Sequence, residues 1–108
     1  GKNVPQDNEK GFHYYLMAAN QGHREAQYMA ATCYSYGKGT EENKDEAFNL
    51  YLKSAEQGYA KAQFVIGHFY EYGRGKIKKD VDLAFQWYKK AADQGHKTAL
   101  KKIEDESE

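Results

Sequence analysis

The segment Ala55-Glu56-Gln57-Gly58 occurs in three related copies along this chain of 108 residues. It returns downstream as Ala92-Asp93-Gln94-Gly95 and has an upstream counterpart in Ala19-Asn20-Gln21-Gly22, at spacings of 37 and 36 residues. A regular spacing of this size is typical of proteins built from stacked structural repeats, in which each unit packs mainly against its neighbours. The repeated segment therefore decides the fold.

A second marker accompanies the first. The segment Tyr34–Gly39 (YSYGKG) returns 36 residues later as Tyr70–Gly75 (YEYGRG). Between the markers, apolar residues follow the spacing of one face of a helix, and glycines follow the last apolar residues, where they can end a helix. Two helices per repeat are therefore predicted. They cover residues 25–36 and 60–72 in one set, and residues 8–20, 44–56 and 80–93 in the other.

Composition limits the classes of function. Sixteen Lys and Arg balance sixteen Asp and Glu, and the longest basic stretch is Lys76–Lys79, so we expect no nucleic-acid partner. No stretch approaches the roughly 20 apolar residues of a membrane span, so we expect no membrane insertion. Cys33 is the only cysteine, which excludes an intrachain disulfide. This slightly favours the cytoplasm but leaves the localisation unknown.

The segment Leu83–Gly95 (LAFQWYKKAADQG) is similar to the A-x-x-W-Y-x-K-A-A-x-x-G signature of the Sel1-like repeat family. With the GxG loops and the 36- to 37-residue spacing, the chain resembles that family over nearly its whole length, with departures at Asn3 and Gly11. A tetratricopeptide repeat, with its period of about 34 residues, fits less well. The resemblance implies an all-α fold, a right-handed α-α superhelix of about three helix-turn-helix repeats, that acts as an adaptor or scaffold.

We expect a single domain over residues 1–108, divided at the QG pairs. The divisions are a partial repeat (1–22), two full repeats (23–58 and 59–95), and the start of a terminal helix with an acidic tail (96–108). Each boundary follows a glycine, where one helix ends and the next can begin.

Few residues suggest catalysis or metal binding. His23 and His96 occupy the same repeat position two units apart, too far apart in a solenoid to share a metal ion. Cys33 aligns with Phe69 on an apolar helix face, which favours a buried packing role over a catalytic thiol. The GxG pairs follow helices rather than strands, so they are interpreted as helix ends and not as phosphate loops. We expect no catalytic residues, no metal and no cofactor.

Candidate binding residues are those that differ between repeat copies, because shared positions maintain the repeat itself. They lie on the side of each repeat's first helix that faces away from the predicted core. We expect this row to be exposed to solvent and to line the concave face, because it contains aromatic and imidazole groups. The row comprises Tyr28, Thr32, Ser35, Phe64, His68 and Glu71.

These observations predict a scaffold that binds a protein or peptide. A second interpretation is an enzyme or ligand-binding domain of a secreted, cell-wall-related Sel1-like protein, which a deep pocket with convergent polar groups would favour. A third is a structural spacer that self-associates through exposed repeat ends.

Overall fold

Six α-helices make up the computed structural model, which describes residues 4–107 and the side chains of residues 7–106. That part of the chain contains no strand. The helices are α1 (Val4–Asn20), α2 (Arg24–Tyr36), α3 (Lys44–Glu56), α4 (Ala60–Tyr72), α5 (Val81–Asp93) and α6 (Lys97–Ser107). Residues 1–3, where the sequence places the start of the first repeat, and residue 108 lie outside the described part.

The helices pack in chain order. Each helix contacts the next one, from the pair α1 and α2 through the pair α5 and α6. This succession gives an elongated body of 48 × 25 × 24 Å. The prediction of an all-α helical-repeat solenoid is confirmed.

The predicted helix bounds agree closely with the structure. Helices α3 and α4 begin and end at the predicted residues. Helix α1 is longer than predicted, since it starts at Val4 instead of Asn8. Its first turn contains Pro5, which is tolerated there because the N–H that proline lacks would have no helical partner in a first turn.

Side-chain and glycine caps fix the helix ends. The side chains of Asn43 and Asp80 each accept a hydrogen bond at 3.0 Å from the backbone N–H three residues later. Each bond satisfies a donor that the first turn of α3 or α5 leaves open. Gly37 ends α2 in the left-handed conformation, with φ of 67°, and its N–H donates to Cys33 O. The YxYGxG motif is therefore a helix end, as predicted.

Small residues allow the helices to approach closely. Gly67 of α4 faces Tyr88 of α5, and a Cβ at this position would overlap the tyrosine ring. Tyr88 is completely buried, as are Ala31 and Ala84. Cys33 is also buried, as its alignment with an apolar position predicts.

Four glutamines connect neighbouring helices through side-chain hydrogen bonds, and we term them the glutamine ladder. Gln57, just beyond α3, donates from Nε2 to Oε1 of Gln27 in α2 at 2.7 Å. Gln94, just beyond α5, makes the same bond to Gln63 in α4 at 2.9 Å. The two acceptors are buried, and their own Nε2 atoms donate to main-chain oxygens of the preceding helix. The ladder therefore fixes each helical pair relative to the one before it.

The ladder does not continue into α6. Leu100 stands at the repeat position that Gln27 and Gln63 occupy, and it offers no hydrogen-bond acceptor in its side chain. It is 45% exposed, whereas the two glutamines are 4% and 5% exposed. Helix α6 is thus held by other contacts.

Candidate binding groove

A cavity of about 280 Å³ opens to solvent between α2, α4 and the loop that follows α4. We term it the α2–α4 groove. Its walls are formed by Tyr28, Thr32, Ser35, Tyr36, Tyr51, Phe64, Val65, His68, Phe69 and Arg74. Five of the six candidate binding residues therefore lie around one cavity, and Glu71 does not.

One wall of the groove is a pair of aromatic rings that Thr32 links by hydrogen bonds. The Tyr28 and Tyr51 rings meet edge to face, with centroids 5.5 Å apart. The Thr32 hydroxyl donates to Tyr28 O at 3.0 Å and lies 2.8 Å from the Tyr51 hydroxyl. Since Thr32 has only one proton to give, the Tyr51 hydroxyl is the donor in the second contact. Burial raises the pKa of Tyr51 to about 12, so this hydroxyl keeps its proton at neutral pH.

The opposite wall is formed by rings from α4. Phe64 meets His68 edge to face, with centroids 4.6 Å apart, and stacks on His96 at 4.7 Å. The Nδ1 atom of His68 is buried and has no hydrogen-bond partner in the described part of the chain. Burial, aided by the nearby Lys102 charge, lowers the pKa of His68. At neutral pH this wall is therefore uncharged.

The candidate row is less exposed than the sequence predicts. Ser35 is buried, and the other members of the row are half-buried. Tyr28 packs against the core formed by α1 to α4, and Phe64 packs against the core formed by α5 and α6. The expectation of an exposed row is corrected to a mostly half-buried one, because large aromatic side chains gain stability by lying over neighbouring helices.

Glu71 serves a structural contact. Its Oε1 atom accepts a hydrogen bond from the Tyr88 hydroxyl at 2.6 Å and lies 2.8 Å from Lys102 Nζ. Burial alone would raise the pKa of Glu71, but the hydrogen bonds from Lys102 and Tyr88 outweigh it and leave that pKa lowered. The carboxylate therefore joins α4 to α5 and α6.

Five lining residues were not among the candidates, and two of them, Tyr36 and Arg74, bear on binding. Tyr36 lies at the mouth and is 75% exposed. Arg74 follows α4, and its guanidinium lies 6.0 Å from the centroid of the Tyr72 ring. Tyr36 has an identical counterpart in Tyr72. A search for positions that differ between repeat copies therefore treats Tyr36 as a structural residue and not as a binding candidate. For Arg74, the sequence signal that could have identified it was the change from Lys38 at the same repeat position.

The other titratable groups of the described residues form no cluster of metal ligands. Within residues 7–106, no three His, Cys, Asp or Glu side chains come together as a possible metal site. His96 instead caps α6, since its Nδ1 accepts a hydrogen bond from Ala99 N at 3.2 Å. Among the described helices, none combines the length and apolar character needed to cross a membrane.

The repeat markers match a known family. The Sel1 repeat model matches residues 1–23, 24–59 and 60–96. The chain belongs to the Sel1 repeat family. The resemblance found in Leu83–Gly95 and the GxG loops is thereby confirmed. Proteins with Sel1 repeats are generally scaffolds for protein–protein interaction and are generally not enzymes.

Two solved Sel1 repeat structures share this fold. A Sel1 repeat protein from Oxalobacter formigenes is similar with a TM-score of 0.83 and 36% identity, covering 86% of this chain and 69% of its own. The c5321 protein, a protective antigen present in uropathogenic Escherichia coli strains and displaying an SLR fold, gives a TM-score of 0.79 at 30% identity. That match covers 85% of this chain but only 20% of the antigen. A search of curated proteins found no match.

Proposed function

We propose that this Sel1 repeat chain is a scaffold that binds a segment of a partner protein in the α2–α4 groove, on the concave face of the solenoid. The observation that carries the proposal is the meeting of five variable side chains, from two repeats, around one cavity. Positions that differ between copies are free of the constraints that maintain the repeat. They are therefore available for recognition.

The chemistry of the groove supports binding. Tyr28, Tyr36, Tyr51 and Phe64 give it aromatic walls, and aromatic side chains are enriched at the energetic centres of protein interfaces. Tyr36 stands at the mouth with most of its surface in water, where contact with a partner would bury it. Rings held by packing lose little conformational entropy on binding.

The size of the groove favours a scaffold over an enclosed substrate site. Pockets that enclose a whole small molecule usually measure about 300 to 1,000 Å³. The α2–α4 groove, at about 280 Å³, lies just below that range and is open to solvent. It suits one anchoring side chain of a larger partner. No described contact favours the alternative of an enzyme or ligand-binding domain.

The test compares two exposed tyrosines. The wild-type chain is used to capture partners from a lysate, each captured protein is purified, and its binding is measured directly by calorimetry. We expect Tyr36→Ala to weaken binding of a genuine partner several-fold, because it removes an aromatic contact at the mouth of the groove. Tyr14→Ala is the matched control, since Tyr14 is 71% exposed on α1, outside the groove.

A second variant fills the cavity from within. Thr32→Trp places a large ring where the Thr32 hydroxyl meets Tyr51, so we expect it to abolish binding while circular dichroism shows a helical chain. Equal binding by the wild-type chain, Tyr36→Ala and Thr32→Trp would locate the interaction elsewhere and refute the groove. Binding reduced equally by Tyr14→Ala would do the same.

A further inference from the structure

We propose that the α2–α4 groove recognises a peptide segment with a large apolar side chain and an Asp or Glu one or two residues away. The apolar side chain enters the cavity, and the carboxylate pairs with Arg74. This inference rests on the proposed function, because it names the chemistry of the partner at the same groove.

The cavity itself accepts an apolar group. The Tyr28, Tyr51, Phe64 and Phe69 rings line it, and three of its hydroxyl groups are hydrogen-bonded within the chain. The Thr32 and Tyr51 hydroxyls bond to each other, and the Ser35 hydroxyl accepts from Lys44 Nζ at 3.3 Å. A polar side chain entering among these rings would lose hydration that the three bonded hydroxyls do not replace, whereas an aromatic or long aliphatic side chain carries no polar group whose hydration is lost.

Arg74 is the one permanently charged residue that lines the groove. Its guanidinium has no carboxylate within 4.0 Å among residues 7–106. Glu71, one helical turn before it, is the acidic neighbour that would be expected to pair with it. That carboxylate is already engaged by Lys102 and Tyr88. The guanidinium is therefore left with its bidentate donors free at the groove.

The other charges at the mouth cancel. Lys44 lies 5.5 Å from the centroid of the Tyr36 ring, but its Nζ is paired with Glu42 at 3.4 Å and donates to Ser35 O at 2.6 Å. The mouth thus carries one unbalanced positive charge, at Arg74. Charge complementarity then requires a single negative group on the occupant, beside the side chain that fills the cavity.

A peptide fits this arrangement better than other anionic partners. Nucleic acid and anionic membranes are held by several cations acting together, and the groove presents one. An extended peptide advances about 3.3 Å per residue, so an acid one or two positions from the anchor reaches a cation at the rim of the same cavity. A single guanidinium beside an apolar cavity therefore selects an acid-flanked apolar residue.

The experiment uses a phage-displayed library of random linear peptides, selected on the wild-type chain. We expect the selected peptides to share Phe, Tyr, Trp, Leu or Met with Asp or Glu one or two positions away. A synthetic peptide of the most enriched sequence should bind Arg74→Glu roughly tenfold more weakly than wild type, the scale of a lost charge-assisted hydrogen bond. Replacing the peptide's acid with Lys should restore binding to that variant.

Lys78→Glu is the matched control. It makes the same charge change four residues along the chain, outside the groove, so it should leave the affinity within about twofold. Selected peptides that carry apolar anchors but no acidic bias, or that bind Arg74→Glu as tightly as wild type, would overturn this inference and leave the proposed groove standing. Selected peptides that bind Tyr36→Ala and Thr32→Trp unchanged would overturn both.

Discussion

Gln57 donates a hydrogen bond from Nε2 to Oε1 of Gln27 across 2.7 Å, although the two residues are 30 positions apart in the sequence. Gln27 is only 4% exposed, so its amide oxygen has little access to water and depends on this donor. The bond holds the loop beyond α3 against α2. The packing of the two helices within a repeat therefore contains a specific polar contact as well as apolar packing.

Removal of this contact should lower stability by a measurable amount. We expect Gln57→Ala to reduce the free energy of unfolding by about 1 kcal/mol, because it leaves the buried Gln27 oxygen without its donor. Gln21→Ala is the control at the same repeat position, since Gln21 is exposed and makes no side-chain hydrogen bond with residues 7–106. Its effect should stay within about 0.5 kcal/mol. Urea denaturation followed by circular dichroism gives both values, and equal losses would refute the role of the ladder.

Two helical glycines should respond in opposite directions to the same substitution. Gly67→Ala should cost roughly 1 to 3 kcal/mol, because the new methyl group would overlap the Tyr88 ring. Gly11→Ala should stabilise the chain by up to about 1 kcal/mol, because no neighbouring atom lies within 4 Å of the added carbon and alanine favours helix. Thermal melting of the two variants beside wild type tests the pair. A stabilised Gly67→Ala would show that α4 and α5 are less closely packed than described.

Acidification through the histidine range should weaken the fold. Burial lowers the pKa of His68 in the folded chain, so the unfolded chain binds more protons as the pH falls below about 6.5. The contribution of His68 to stability is therefore present above that pH and is lost as the pH falls towards the folded pKa. Unfolding free energies at neutral pH and near pH 5.5 should differ less for His68→Phe than for wild type. The same pH dependence in both chains would contradict this assignment.

The thiol of Cys33 should report on opening of the first repeats. Burial raises the pKa of Cys33, and the side chain is 6% exposed, so both the thiolate population and access to it are reduced. We expect iodoacetamide to label the native chain far more slowly than it labels the urea-unfolded chain at the same pH. Mass spectrometry of timed samples measures the two rates. Comparable rates would mean that α2 opens readily in the native state.

The sequence predicts the helices well because each helix end depends on local chemistry. Asn43 and Asp80 cap helices through bonds to residues three positions away, and Gly37 ends one through its own backbone. The glutamine ladder could not be predicted in this way, since a shared Gln at a repeat position does not reveal which residue of another helix it contacts.

The groove was predicted in part for a similar reason. Variation between repeats identified Tyr28, Thr32 and Phe64, which lie where two helices meet the cavity. The change from Lys38 to Arg74 marks that position as variable, but it does not reveal that the guanidinium is unpaired, because this depends on Glu71 being bound by a lysine of α6. Pairings between distant helices are set by packing, and packing is not visible in a single repeat.

Because Leu100 stands where a ladder glutamine would be, engineering can lengthen the chain more readily before Tyr59 than after α6. A unit copied from residues 23–58 and inserted at the boundary before Tyr59 would bring both Gln27 and Gln57, so the glutamine ladder would be kept in every repeat. The enlarged chain would also carry an additional cavity of the same kind. It would therefore bind a longer partner segment at regularly spaced points. A helix like α3 added after α6 would instead place its trailing glutamine against the apolar Leu100 side chain, and Leu100→Gln would be needed to restore the hydrogen bond.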